Sequence, residues 1–297
     1  MCSPCFEVSS KNQLYEFFSE FNASTEESVK NDVQYLKEWI RKEAHLPNVE
    51  DDEWLTNFLL RCKNSLEKAK TRIDEYYSVR TVMPEFFQGR DQCFDKMEHL
   101  LQQCVFVPSL KLTPDGYRVM MYHIFDNNTT FDFHDLMKLA LMIFDFGLKM
   151  DRIRGMIHIL DAQNVTMSII VYMVSIVRKS AVLSQKTIPI RHHKIYLVNS
   201  IPAMNPGIRL YKRFLKKKMG DMIEMWKDDP KNLISVIPKE VLPSIYGGNQ
   251  GSLEDMRDIW YGEMEKNRDW FISDEANKAD FSKKPVDTSH KNKCIIC

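Results

Sequence analysis

Between Tyr117 and Asn199 the hydrophobic pattern switches repeatedly between two periods, and this alternation constrains the fold more than any other feature. Tyr117 to Phe125 (YRVMMYHIF) follows a Pro114-Asp115-Gly116 turn and reads as a strand. Phe131 to Leu148 carries a helical pattern, Met156 to Asp161 reads as a second strand, Ser168 to Leu183 as a buried helix and Lys194 to Asn199 as a third strand. A strand–helix–strand–helix–strand order requires long crossovers. It therefore predicts an α/β fold with a largely parallel sheet and right-handed connections.

The flanks read differently. Residues 1–95 are helical throughout, and we expect a separate N-terminal helical module there. Thr25-Glu26-Glu27 and Asp51-Asp52-Glu53 are helix starts, and Met83-Pro84 is a stop. Residues 96–272 form the α/β domain, closed by a helix from Ser252 to about Phe271. Residues 273–297, polar and containing Pro285, are expected to form a flexible tail.

Several chemistries find no support in the residues. There is no Gly-rich phosphate loop, no dinucleotide fingerprint, no Gly-x-Ser-x-Gly elbow and no His-Glu-x-x-His motif. Lys plus Arg equals Asp plus Glu, at 41 each, so net charge gives no reason to expect nucleic acid. The N-terminus lacks the basic start and apolar core of a signal peptide. Seven cysteines without compact spacing are expected to be reduced thiols of a cytosolic protein. Cys2-x-x-Cys5 and Cys294-x-x-Cys297 sit at opposite ends, so no metal is expected. His192 and His193 are adjacent on an extended chain and point to opposite faces, which makes them poor joint ligands. Asp161 ends a strand where α/β enzymes often keep an acid; a structural hydrogen bond is the plainer reading, and no enzyme is expected.

The helix from Phe131 to Leu148 is apolar over much of its circumference, and 17 methionines supply adaptable apolar surface. Solid core accounts for this as it stands; a ligand cavity is the other reading. Downstream, Ile188 to Gly248 opens with a Pro and a cationic cluster and continues with the strand Ile195–Val198. Leu210, Phe214, Leu215, Met219, Met222 and Ile223 then recur near helical spacing among Arg209, Lys212, Arg213, Lys216, Lys217 and Lys218. An apolar stripe bordered by cations suits a helix at a membrane surface. The stretch closes with Leu242-Pro243 and Tyr246-Gly247-Gly248.

In their order and spacing these motifs resemble the CRAL-TRIO lipid-binding family, most closely its tocopherol-transfer-like members, from about Trp54 to Trp260. The resemblance implies a helical module, a lipid enclosed between helices and sheet, and a mobile gate helix spanning about Asn199 to Met222. It implies a pocket wall of Met137, Ala140, Leu141, Phe144, Ile159, Leu183, Ser184 and Ile188, and no cofactor other than the cargo. Ala140 and Phe144 replace serines of the tocopherol-transfer branch, so a tocopherol-, retinoid-, isoprenoid- or sterol-like ligand is equally open. Of the family's headgroup-binding basic patch, Arg191 and Lys218 match, while His193 and Met222 each replace an Arg. Lys194, Lys212, Arg213, Lys216 and Lys217 add cations of their own.

These observations lead us to expect a monomeric, cytoplasmic carrier of one hydrophobic lipid that docks transiently on anionic membranes, with phosphoinositides as candidate headgroups. The alternative is a membrane-recruited lipid-sensing adaptor. Cys294-Ile295-Ile296-Cys297 fits the prenylation form with lysines upstream, which makes Cys294 the candidate prenylation site and would favour the adaptor. A lipid hydrolase or isomerase is a third class, for which the residues supply no nucleophile–base pair.

Overall fold

The computed structural model describes residues 5–10, 25–126, 132–175, 177–186 and 189–284, together with positions 13, 16 and 19. The N-terminal module holds α1 (Glu26–Lys42), α2 (Asp52–Arg61) and α3 (Leu66–Val82). The side chains of Thr25 and Asp51 accept hydrogen bonds from the amides of Ser28 and Trp54, which satisfies donors that the first helical turn leaves unpaired. Val29, Val33, Leu36 and Ile40 form the buried stripe of α1, packed with Trp54, Phe58 and Tyr76. A further helix, α4 (Arg90–Gln103), leads straight into β1 (Cys104–Pro108).

The sheet has five strands in the order β1, β2 (Tyr117–Ile124), β3 (Gly155–Asp161), β4 (His192–Val198), β5 (Ile223–Met225). β1 runs antiparallel to β2; the other neighbours are parallel. Between the parallel strands lie α5 (Phe133–Met150), then α6 (Met167–Ser175) and α7 (Val177–Lys186), then α8 (Asn205–Phe214) and α9 (Lys217–Asp221). Right-handed crossovers between sequential neighbours place these helices over one face of the sheet, and α6 and α7 both pack on α8. The other face carries short 3-10 turns between Pro230 and Tyr246. The chain closes with α10 (Leu253–Lys266), started by a capping box between Ser252 and Asp255, and α11 (Arg268–Asp274).

The expected mixed α/β architecture with a mostly parallel sheet behind a helical module is therefore present. Three details differ from the sequence reading. The single gate helix is broken: α8 ends at Phe214, Leu215 turns extended and buried, and α9 restarts at Lys217. α6 leaves Met167 and Val171 exposed at 57% and 65%, so the helix read as buried from Ser168 presents apolar side chains to solvent near its start. The segment expected to be a flexible tail is held as far as Lys284. Ala279 N donates to Tyr77 O at 3.1 Å, Asp280 N to His45 O at 2.8 Å, and Lys284 Nζ to Asp74 at 2.9 Å.

The Tyr246-Gly247-Gly248 turn has a steric reason. Gly247 sits at φ +79°, and a Cβ there would meet Lys231 O at 2.4 Å; at Gly248 it would meet Leu242 O at 1.9 Å. The chain passes too close to itself for any side chain at either position.

Candidate functional site

The two faces of the sheet are filled differently. Side chains alternate along a strand, so Met121, His123, Ile159, Asp161, Tyr196 and Val198 share one face through the register of β2, β3 and β4, and all are buried. The opposite face carries buried Arg118, Met120, Met156, His158 and Ile195 and, toward the C-terminal ends of the interior strands β2, β3 and β4, Tyr122, Ile124, Leu160 and Leu197, which are only partly buried. The helices above contribute further partly buried apolar side chains: Met137 and Phe144 of α5, Val182 of α7, Leu210 and Tyr211 of α8. Phe144 and Ile190 pack against Met156, which shares the face of Tyr122. This end of the face is therefore covered less tightly than the other face.

The residues expected to line a pocket fall into three groups. Met137, Leu141, Phe144 and Leu183 converge where α5 and α7 meet the N-terminal module. Ala140 is buried on α5 beside them in sequence. Ile159 lies on the fully buried face, away from Tyr122 and Met156, because it is one residue out of phase with them. Ser184 lies in α7, and Ile188 falls outside the described residues.

Sequence reasoning missed a polar row on the half-open face. Tyr122 Oη and His158 Nδ1 are hydrogen-bonded at 2.8 Å, and His158 Nε2 and His192 Nδ1 at 2.9 Å, crossing β2, β3 and β4. Phe106 of β1 meets the Tyr122 ring edge-on, with centroids 4.7 Å apart. Burial, and next the neighbouring His192, hold the His158 pKa well below the usual histidine value, so the ring is neutral. Burial and the nearby Tyr211 push the Tyr122 phenol upward. The signal was available: His158 stands inside an otherwise apolar strand.

The expected basic patch is partly assembled. Arg191, His193 and Lys194 lead through the start of β4, beside β5, which follows α9 directly. Lys212 Nζ reaches Ile223 O at 3.3 Å, and Lys212, Arg213, Lys217 and Lys218 are exposed. Lys194 is engaged by Glu224, which raises its pKa. His193 stacks on Tyr117 with centroids 4.2 Å apart. Its pKa is lowered by burial first and then by Arg154 and the neighbouring cations, with Asp115 opposing. Next to this basic corner Ile201 and Phe214 are exposed at 48% and 40%, as are Met167 and Val171 on the adjoining α6. Cys294 falls outside the described residues.

An open cleft of about 520 Å³ lies at the C-terminal ends of β3 and β4, lined by Asp161, Asn199, Asp229, Lys231 and Tyr246. Its acid is occupied. Asp161 accepts from Asn199 Nδ2 at 2.8 Å, Gln163 N at 3.0 Å, and both His123 Nδ1 and Tyr246 Oη at 3.1 Å. Burial favours the neutral acid, but the hydrogen bonds, led by His123, outweigh it and hold the pKa below the usual value. This carboxylate braces the Tyr246 turn against the sheet. Among the described residues no group of three or more His, Cys, Asp or Glu could hold a metal ion. No described helix is long and apolar enough to cross a membrane.

Comparison with known proteins agrees with this geometry. Residues 25–97 match the model of the Pinta-like UBA domain, and residues 102–248 that of the CRAL/TRIO domain. Alpha-tocopherol transfer protein-like proteins of Pongo abelii and Homo sapiens are each 25% identical over 256 residues, 82% of this chain and 71% of theirs. The Mus musculus protein of the same name is 26% identical over 238 residues, 75% of this chain and 66% of its own. The crystal structure of Sfh5 aligns with a TM-score of 0.49 and 10% identity, covering 88% of this chain and 99% of that one. With a match to the Pinta-like UBA domain in front of it, the α/β body of this chain carries a CRAL/TRIO domain.

Proposed function

We propose that this protein carries one hydrophobic lipid between the half-open face of the sheet and α5 to α8, and exchanges it at anionic membranes. The observation that carries the reading is the row of partly buried apolar side chains on interior strands, facing helices that present partly buried apolar side chains of their own. A lipid bound there would remove that surface from contact with water, and apolar burial of this kind drives association. Met137, Ala140, Leu141, Phe144 and Leu183 form its outer wall in this reading. Ile159 contributes only from behind the sheet.

α8 serves as the gate. None of its residues is fully buried, so opening it disrupts little packing. Lys212, Arg213, Lys217 and Lys218, with Arg191, His193 and Lys194 alongside, attract anionic headgroups, phosphoinositides included. Met167, Val171, Ile201 and Phe214 are the apolar positions that enter the bilayer surface. A membrane that binds the open form more tightly than the closed one shifts the gate toward release.

The test is lipid extraction and mass spectrometry of the full chain purified from eukaryotic cells, followed by transfer between vesicles. One dominant lipid near one molecule per chain, moved faster to anionic than to neutral acceptor vesicles, is expected. No lipid in any preparation and no transfer would turn the reading to a membrane-recruited adaptor.

A further inference from the structure

The polar row on the half-open face has no task in holding the fold that an apolar strand would not perform better. Burying an imidazole costs free energy unless its nitrogens are bonded, and His158, 4% exposed in the middle of β3, has both nitrogens engaged by neighbours on the adjacent strands. Its partners Tyr122 and His192 are only partly buried. A hydrogen-bonded row thus begins in the core of the sheet and ends at two half-buried groups, Tyr122 and His192, on the face that the helical crossovers cover.

We propose that Tyr122, positioned by His158 and His192, binds the polar end of the cargo, and that this cargo carries a neutral oxygen group, an alcohol or a carbonyl. The inference rests on the carrier reading above and narrows it to a class of lipid.

The row accepts two hydrogen arrangements. In one, Tyr122 O–H donates to His158 Nδ1, His158 Nε2–H donates to His192 Nδ1, and the Tyr122 oxygen accepts from a cargo hydroxyl. In the other, His192 Nδ1–H donates to His158 Nε2, His158 Nδ1–H donates to Tyr122, and Tyr122 O–H donates to a cargo carbonyl. Both need a single hydrogen on the His158 ring, which its burial enforces. The cation on this face of β2 is Arg118, and Asp151 already binds it through two hydrogen bonds of 2.8 and 2.9 Å. A hydrocarbon end would leave the second hydrogen-bonding position of the Tyr122 oxygen unused.

Direct binding to the full chain tests this with two tail families. All-trans-retinol, retinaldehyde and retinoic acid share one tail and differ in the head; cholesterol and its 3-deoxy hydrocarbon form a second comparison. The neutral oxygenated heads should bind tighter than the acid by about tenfold or more, and cholesterol tighter than its deoxy analogue by about fivefold. Tyr122→Phe should erase the sterol difference. His158→Leu should do the same, and His158→Gln, which still offers a donor and an acceptor, should restore part of it. Thermal midpoints without ligand identify any variant that fails to fold.

Equal affinity for alcohol, acid and hydrocarbon, or head preference unchanged in Tyr122→Phe and His158→Leu, overturns the assignment while the carrier reading stands. An extracted cargo with a charged head does the same. If the extract holds a neutral oxygenated lipid and none of the five probes binds, the three variants are read on that lipid. No extracted lipid and no uptake of any probe overturns both.

Discussion

At the scale of single residues, Asp161 shows how the sequence can place a carboxylate correctly and leave its role open. Its position at the end of β3 suits a catalytic acid, yet its oxygens are taken by His123, Asn199, Tyr246 and the Gln163 amide. Asp161→Asn replaces one acceptor oxygen by an NH2 that faces donors, and should cost about 2 kcal/mol at neutral pH. The folded pKa is depressed, so this stabilisation is fully present above the ordinary carboxyl value of 3.8 and is lost as pH falls through the lower folded value. Urea midpoints of the two proteins should therefore differ clearly at pH 7 and converge as the medium approaches pH 3. A gap of the same size in acid would mean that the carboxylate charge contributes nothing.

At the scale of elements, the strands and helices of the parallel region were legible because each keeps one period over its length. The break between α8 and α9 was not. The apolar positions from Leu210 to Met222 continue at helical spacing across it, while Leu215 is drawn into buried contact and the chain turns extended. β5 is three residues long and carries no periodic signal. Of the site, the apolar positions of α5 were readable from the sequence. The phase error at Ile159 was not avoidable from the resemblance alone, because a one-residue shift along a strand moves a side chain to the other face. The break has a consequence for the gate. Gln185 of α7 donates through Nε2 to Phe214 O and accepts from Lys216 N through Oε1, both at 3.0 Å, so one amide latches the last turn of α8 and the approach to α9. Gln185→Ala removes two hydrogen bonds from a helix that buries no residue, and should raise the rate of lipid exchange with vesicles by about fivefold to tenfold. Equilibrium affinity should change little where the gate contributes equally to entry and exit. An unchanged exchange rate, measured by stopped-flow transfer of a fluorescent cargo, would remove the latch.

At the scale of the whole molecule, the helical module and the sheet domain are joined through a buried charge network. Arg80 of α3 donates to Asp145 of α5 and Asp274 of α11, each at 2.8 Å. Arg90 of α4 bonds the same two carboxylates, and Tyr76 Oη donates to Asp145 Oδ1 at 2.8 Å. Arg61 of α2 adds hydrogen bonds of 2.8 and 2.9 Å to Gly147 O and Asp151 O at the end of α5, where carbonyls lack helical partners. Separating the module from the sheet would leave these charges unpaired in an apolar surrounding, so the two should unfold together. Far-UV circular dichroism and tryptophan fluorescence should report one coincident transition. The network also predicts a non-additive outcome. Asp145→Leu alone leaves two buried guanidinium groups sharing the single carboxylate of Asp274, with one charge uncompensated, and should cost about 3–5 kcal/mol. Replacing Arg80 and Arg90 by Met together with Asp145 and Asp274 by Leu removes the stranded charges, and should cost less than the single change, because apolar side chains need no partner. If the fourfold variant is instead the less stable of the two, the ion network itself, rather than the avoidance of unpaired charge, holds the module to the sheet.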